Sequence, residues 1–368
     1  MRIANKEASF FDFKLFFTLL TLLLTGLAAI YSVSFETGGL NNFKRQIIFA
    51  VIALGVFWVC SRINYGTWEN YAEVIYLIGL TLMTLVLFLG ERKHGAEGWF
   101  GIATFTLQPV EFMKIGVILI GAKYLSRLRM DDRRPRHIMV TGIYVLLPIL
   151  LALRQPDFGS AAVLAAIWAL MILMRGIKKR HAVTLAVLTL VGFAVGWFWL
   201  LQPFQKARII SFINPENDPS GSGYHVLQSM TAIGSGGIYG KGLGYGSQSQ
   251  LHFLPEAHTD FIYGVIAEEL GLVGVIILMG GFFILFLRIY KIAQKSVDNF
   301  GRFIIVGVMA FLFIQLLVNA GMNIGMVPVT GLPLPFVSYG GSALVTELFL
   351  LGMVFNIYSV SSKSEGYR

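Results

Sequence analysis

A polar stretch, Leu254-Pro255-Glu256-Ala257-His258-Thr259-Asp260-Phe261-Ile262, runs straight into a strongly apolar segment that still carries Glu268 and Glu269. A carboxylate held at such a junction can take a proton from an attacking hydroxyl, the work of a general base. Asp260 is the first candidate. Asp is equally favoured as a helix N-cap, so the same residue could simply open the apolar helix. Glu268 and Glu269 lie about two turns deeper, where they either line a cavity or pair with a neighbouring helix. His258 is close enough to assist Asp260, or is an exposed loop histidine.

Glu111 and Lys114 stand three apart in an apolar run, which puts both on one helix face. An ion in hydrocarbon is costly unless paired or wetted, so the two either hold a bundle together or reach a polar cavity. Asp157, in Gln155-Pro156-Asp157-Phe158-Gly159-Ser160, can cap the next apolar run or add a third charge to that cavity. The glycine-rich stretch from Gly234 to Gly246 is no nucleotide loop. Ser235 stands where a P-loop needs Gly, and Gly242 where it needs Ser or Thr. It is either a tight backbone offering N–H groups to an anion or a plain flexible loop. The histidines (His94, His137, His181, His225, His252, His258) make no helical pair and the single Cys60 has no partner, so neither a structural zinc site nor an internal disulfide is expected.

The elements that must position these groups are membrane helices. Of 368 residues 56% are hydrophobic and 13% charged, with a mean hydropathy of +0.70, well outside soluble usage. The expected fold is an all-α integral membrane protein in one domain, 1–368. Ten apolar runs are long enough to span, at about 13–33, 46–63, 70–90, 109–126, 138–154, 158–174, 182–202, 261–288, 303–322 and 342–360. Between the seventh and eighth, residues 203–260 form a long connection rich in Gly, Ser, Asn and Pro, the kind that is usually functional. Placing both termini in the cytoplasm leaves 20 Lys and Arg inside against 8 outside, as the positive-inside rule requires, and makes that connection extracytoplasmic. The net charge of +9 is therefore topogenic and no sign of nucleic-acid binding. Trp99 and Phe100 suit an outer interfacial anchor. Pro328, Pro333 and Pro335, before Ser338-Tyr339-Gly340-Gly341, forbid regular helix. Broken backbone at membrane depth is tolerated in protein or beside a wet cavity.

Several strings together resemble the SEDS family of bacterial shape, elongation, division and sporulation proteins: Gly98-Trp99-Phe100, Gln108-Pro109-Val110-Glu111 with Lys114, Gln155-Pro156-Asp157-Phe158-Gly159, the block from Tyr224 to Gly271, and Gly331-Leu332-Pro333-Leu334-Pro335-Phe336-Val337-Ser338-Tyr339-Gly340-Gly341-Ser342. The resemblance covers almost the whole chain, and is nearer to the elongation (RodA) branch than to the division (FtsW) branch. One departure is Val110, where the family usually has Ser. The resemblance implies an inverting glycosyltransferase of the bacterial inner membrane that polymerises peptidoglycan from lipid II. It implies Asp260 as the essential carboxylate, Glu111, Lys114 and Asp157 in the cavity and Ser338 near its rim. A pyrophosphate leaving group needs counter-charge, from Lys114, Arg208, Lys241 or a divalent cation such as Mg2+ or Mn2+. Implied partners are a class B penicillin-binding protein and MreC and MreD. The competing reading is a lipid II flippase, which the absence of internal repeats and the concentration of polar motifs on the outer half disfavour.

Overall fold

The computed structural model describes residues 12–366 apart from 37–39, 94–95, 103–104, 129–133, 200, 216–217, 219–220, 252 and 255. Arg2, Lys6, Arg129, Arg133 and Arg368, used above for orientation, lie outside the described residues, as do His94, His252 and Pro255. In chain order the helices are α1 (Phe13–Glu36), α2 (Asn41–Arg62), α3 (Tyr65–Leu89), α4 (Pro109–Ser126), α5 (Pro135–Arg154), α6 (Phe158–Arg175), α7 (Lys179–Trp199), α8 (Pro203–Ile213), α9 (Ser222–Ser235), α10 (Ser247–Gln250), α11 (Ile262–Lys295), α12 (Asn299–Asn323) and α13 (Gly341–Gly366). Among the described residues nine are long and apolar enough to cross a membrane: α1, α2, α3, α5, α6, α7, α11, α12 and α13.

The remaining expected span, 109–126, is present as α4, the inner helix of the bundle. It carries Glu111, Lys114 and Lys123, and 14 of its 18 residues are buried. Enclosure by α3, α5, α6 and α12 lets these charges stay, because they meet partners instead of lipid. Lys114 bonds Glu111, and Lys123 bonds Glu73 of α3. Small residues bring the helices together: a side chain on Gly116 would run into the backbone of Tyr76, and one on Gly79 into Met113. Below the level of Glu111 the bundle is filled by Met113, Val117, Ile118, Phe311 and Leu312, all buried.

Two expectations need correction. Residues 91–107 are not a plain anchoring loop but an antiparallel sheet of β1 (Glu91–Lys93), β2 (Ala96–Ile102) and β3 (Phe105–Leu107). The aromatic and β-branched residues of Gly98-Trp99-Phe100-Gly101-Ile102 suit a half-covered strand. Residues 203–260 are also more ordered than their composition suggests. α8 opens with a capping box between Gln202 and Gln205, and α9 buries Val226, Ser229 and Ala232 on one face.

The glycine stretch closes over a break in α11. Gly271 takes φ 64° and ψ −162°, interrupting the helix. The carbonyls of Glu268 and Glu269 thereby freed accept from Lys241 N and Gly242 N, while Leu272 N and Val273 N donate to Gly237 and Ile238. A side chain on Gly236, Gly240 or Gly271 would collide with backbone across this seam. The stretch is thus a tight backbone, spent on the protein itself.

Candidate active site

Helices α2, α4, α6, α11 and α13 all begin at one end of the bundle, and there they surround a cavity of about 560 Å³. Its wall includes Arg45 and Asn42 of α2, Gln108 and Glu111 of α4, Asp157 and Ser160 of α6, Arg208 of α8, Glu256, Thr259 and Asp260 before α11, the 330–333 segment, and Tyr339 to Ala343. Trp99 of β2 also lines it. Two arginines and four carboxylates thus share one solvent-accessible space.

Asp260 is not the cap of α11, because that position belongs to Phe261 and shows no side-chain cap bond. It sits in a tight turn closed on the carbonyl of Glu256, which accepts from Thr259 N (3.1 Å), Asp260 N (3.1 Å) and Phe261 N (3.3 Å). Each of the next three outward carbonyls is gripped from another segment. His258 O accepts from Tyr339 N (2.9 Å), and Thr259 O from Ser338 Oγ (2.6 Å). Asp260 O accepts from Asn319 Nδ2 (2.9 Å) and Asn323 Nδ2 (3.0 Å) of α12. Gly331, at φ 76°, lies against the carboxylate itself, since a Cβ there would stand 3.5 Å from Asp260 Oδ2.

The opposite wall is built the same way. Asp157 caps α6, accepting from Ser160 N (2.9 Å) through Oδ1, while Oδ2 accepts from Gln108 Nε2 (3.1 Å) and faces the cavity. Capping and cavity lining are therefore both true of it. A side chain on Gly159 would press on Thr330 O at 2.9 Å, so this glycine lets α6 meet the 330–333 segment. The segment after it is fixed by Gln46, which donates to Ser338 O and accepts from Gly340 N, and by buried Glu347, which accepts from Phe336 N (2.8 Å).

Three residues expected to meet substrate are not among those lining the cavity. Lys114 is 0% exposed; its Nζ lies 2.6 Å from Glu111 Oε1 and 5.0 Å from the centre of the Phe311 ring. It orients Glu111, which does face the cavity. Lys241 is drawn away to buried Glu268 (2.8 Å), whose carboxylate also accepts from Gln248 N, Ser249 N and Ser247 Oγ. Glu269 is held by Ser32, Ser249 and Gln250, so both glutamates pair with the cover over α11. Ser338 spends its hydroxyl on Thr259 O and Leu334 N, beneath the wall. Arg45, Glu256, Asn319 and Asn323 were missed. Arg45 stands near the start of α2, where sequence alone marks it as one more outer-face charge, and the two asparagines, four apart in an apolar stretch, are a readable signal.

Outside the spans, His225 of α9 packs its ring 6.0 Å from that of Phe261. Burial holds it below its ordinary value of 6.5, with Arg208 adding to the effect and Asp218 and Glu256 opposing it. Among the described residues no three of His, Cys, Asp and Glu gather closely enough to hold a metal ion by themselves.

Residues 13–363 match the family model that joins FtsW, RodA and SpoVE, described as cell cycle protein. The chain is 38% identical over 344 residues to the peptidoglycan glycosyltransferase MrdB of Escherichia coli (strain K12), covering 93% of this chain and 91% of that one. It is also 38% identical over 367 residues to the probable peptidoglycan glycosyltransferase FtsW of Geobacter metallireducens, covering 96% of each. A solved chain described under the structural coordination of polymerization and crosslinking by a peptidoglycan synthase complex superimposes with a TM-score of 0.82 at 29% identity, covering 95% of this chain and 98% of that one.

Proposed function

The chain belongs to the FtsW, RodA and SpoVE family of cell cycle proteins, and from that premise we propose that Asp260 is the general base with which it joins lipid II molecules. It is a multi-pass membrane protein and a peptidoglycan glycosyltransferase. The observation that carries the role of Asp260 is its setting: a cavity-lining carboxylate whose main chain is gripped at three successive carbonyls.

The acceptor hydroxyl gives its proton to an Asp260 oxygen as its own oxygen attacks the anomeric carbon of the donor. The bond from that carbon to the pyrophosphate breaks on the opposite face, inverting the centre, and the lipid pyrophosphate leaves with the electron pair. Arg45 and Arg208 on the cavity wall supply counter-charge to it. Glu111 and Asp157 hold sugar hydroxyls. A divalent cation such as Mg2+ or Mn2+ would enter with the substrate and neutralise phosphate charge, held by Asp157 or Glu256, oxygen ligands suited to either ion. By the charge bias of the connections, the cavity opens on the outer face and both termini lie inside. The packed layer beneath Glu111 favours polymerisation there over carriage of lipid II across the bilayer.

A class B penicillin-binding protein is the partner, by analogy with the synthase complex whose solved chain this one resembles. Identity does not separate the elongation and division branches; the 254–271 block and the Leu334-Pro335-Phe336 turn favour elongation, with MreC and MreD as further partners. The test is polymerisation of purified lipid II beside a partner unable to polymerise. Asp260→Asn, folded and complexed, should lose about 10²–10⁴-fold in rate, and a chelator should lower wild-type turnover. Full activity in Asp260→Asn would remove it as the base.

A further inference from the structure

Beyond Arg302 helix α12 is otherwise apolar, yet on one face it carries Gln315, Asn319 and Asn323 at intervals of four, each 0% exposed. Both asparagines donate through Nδ2, while Asn319 Oδ1 is buried with no hydrogen-bond partner among the described residues. Asn319 Nδ2 donates to Asp260 O (2.9 Å) and to Leu332 O (2.8 Å), so one amide group ties the turn that carries the carboxylate to the segment that forms the facing wall. Asn323 Nδ2 donates to the same Asp260 carbonyl (3.0 Å) and to Asn319 O (2.9 Å). Its Oδ1 accepts from Gly264 N (3.1 Å) in the first turn of α11 and from Ser229 Oγ (2.9 Å) of α9. Gln315, one turn deeper, makes no hydrogen bond through either end of its amide among the described residues.

We infer that Asn319 and Asn323 are positioning residues for the glycosyl transfer, fixing the Asp260 main chain and locking the 330–333 wall to it; this rests on Asp260 being the base. The physical reason is geometric. The carboxylate hangs from its backbone by two rotatable bonds, and the α11 cap gives that backbone no side-chain bond. The turn's own bonds to Glu256 O fix its shape but not its place in the bundle. The asparagine pair is what attaches it to α12, through side chains that are themselves fully buried. Loss of the pair lets the carboxylate shift relative to substrate by a fraction of its reach, and misplacement of a reacting group by about 1 Å costs on the order of 10²-fold in rate. The substrate is gripped mainly by other residues, so its affinity should survive.

The decisive measurement is steady-state lipid II polymerisation with partner present, separating kcat from KM, for Asn319→Leu, Asn323→Asp and Gln315→Leu beside wild type and Asp260→Asn. Asn323→Asp retains an oxygen for Gly264 N and Ser229 and replaces the donors to Asp260 and Asn319 by a carboxylate oxygen that repels both carbonyls, so it carries the test if Asn319→Leu does not fold. The expected result is a fall of about 10²-fold in kcat for Asn319→Leu with KM within about twofold, a smaller fall in the same sense for Asn323→Asp, and wild-type kcat for Gln315→Leu. Unchanged kcat in the folded asparagine variants overturns the inference, as does an equal fall in Gln315→Leu, which would mark a general need for amides on α12. Asp260→Asn separates the two layers: if it is active the base assignment fails, and if it is dead while Asn319→Leu is active only the positioning role fails.

Discussion

Removing the ammonium of Lys114 should be among the most damaging single changes to stability, although the residue does not touch the cavity. Its Nζ is the donor to Glu111 Oε1 at 2.6 Å; Glu111 Oε2 is buried with no hydrogen-bond partner, and the pair is 0% and 4% exposed. Lys114→Met keeps most of the volume and leaves a nearly buried carboxylate at the cavity edge without the ammonium that pairs with it. Breaking a buried pair from one side costs about 3–5 kcal/mol, and replacing both members by apolar groups is often neutral or stabilising by about 1–4 kcal/mol. Equilibrium unfolding in mixed micelles should therefore place Lys114→Met about 3–5 kcal/mol below wild type and Glu111→Leu/Lys114→Met near wild type or above it. The double variant, though folded, should polymerise poorly, because Glu111 is the member that lines the cavity. A cost under about 1 kcal/mol for Lys114→Met, or a double variant as unstable as the two single losses added, would refute the buried-pair reasoning.

Lys241→Met should weaken the cover over the α11 break by about 1.5–3 kcal/mol, the loss of a charge-assisted bond to buried Glu268; hydrogen exchange at 237–250 should rise while KM for lipid II stays at the wild-type value. For His225 the folded value lies below the unfolded one, so the unfolded chain binds the proton first. Its stability contribution is complete above about 6.5 and is lost as pH falls through the lowered folded value. The unfolding midpoint should drop from about pH 7.5 to about pH 5.5, and drop less in His225→Phe; equal drops would put the acid sensitivity elsewhere.

The spans and the break between α5 and α6 were legible because hydropathy and Pro156 act locally. Apolar length marks a helix whatever surrounds it, and a proline after Arg154-Gln155 interrupts one. The cavity was legible in part: Asp157, Glu111 and Asp260 are charges in places where charge needs a reason. Lys241 and Ser338 were read as substrate contacts since a sequence offers no way to see that their partners are Glu268 and Thr259 O, while the pairing of Lys114 with Glu111 was one of the two readings that their spacing of three allowed. The pairing of Lys241 with Glu268 spans 27 residues and depends on the break at Gly271, which itself depends on glycines packing backbone to backbone. Strand order in 91–107 escaped for a related reason, as an aromatic anchor and a short strand share the same residues.

The placement of the cavity follows from the same chain of causes. Five helices begin around it, and the free N–H groups of each first turn carry partial positive charge toward that end. Two of those ends are already answered by carboxylates of the chain: Asp157 accepts from Ser160 N at α6, and Glu111 lies in the first turn of α4. What remains is a positive field with Arg45 and Arg208 at its margins, suited to a ligand bearing two phosphates. The general base must work inside that field without being captured by it as a cap. Asp260 stands before the cap position, two residues ahead of Ile262, in a turn held by α12, by Ser338 Oγ and by Tyr339 N, with its carboxylate against the wall at Gly331. An aspartate at the cap itself would be drawn onto the N–H groups of its own helix. The grip on the main chain is therefore what sets the carboxylate in the cavity wall.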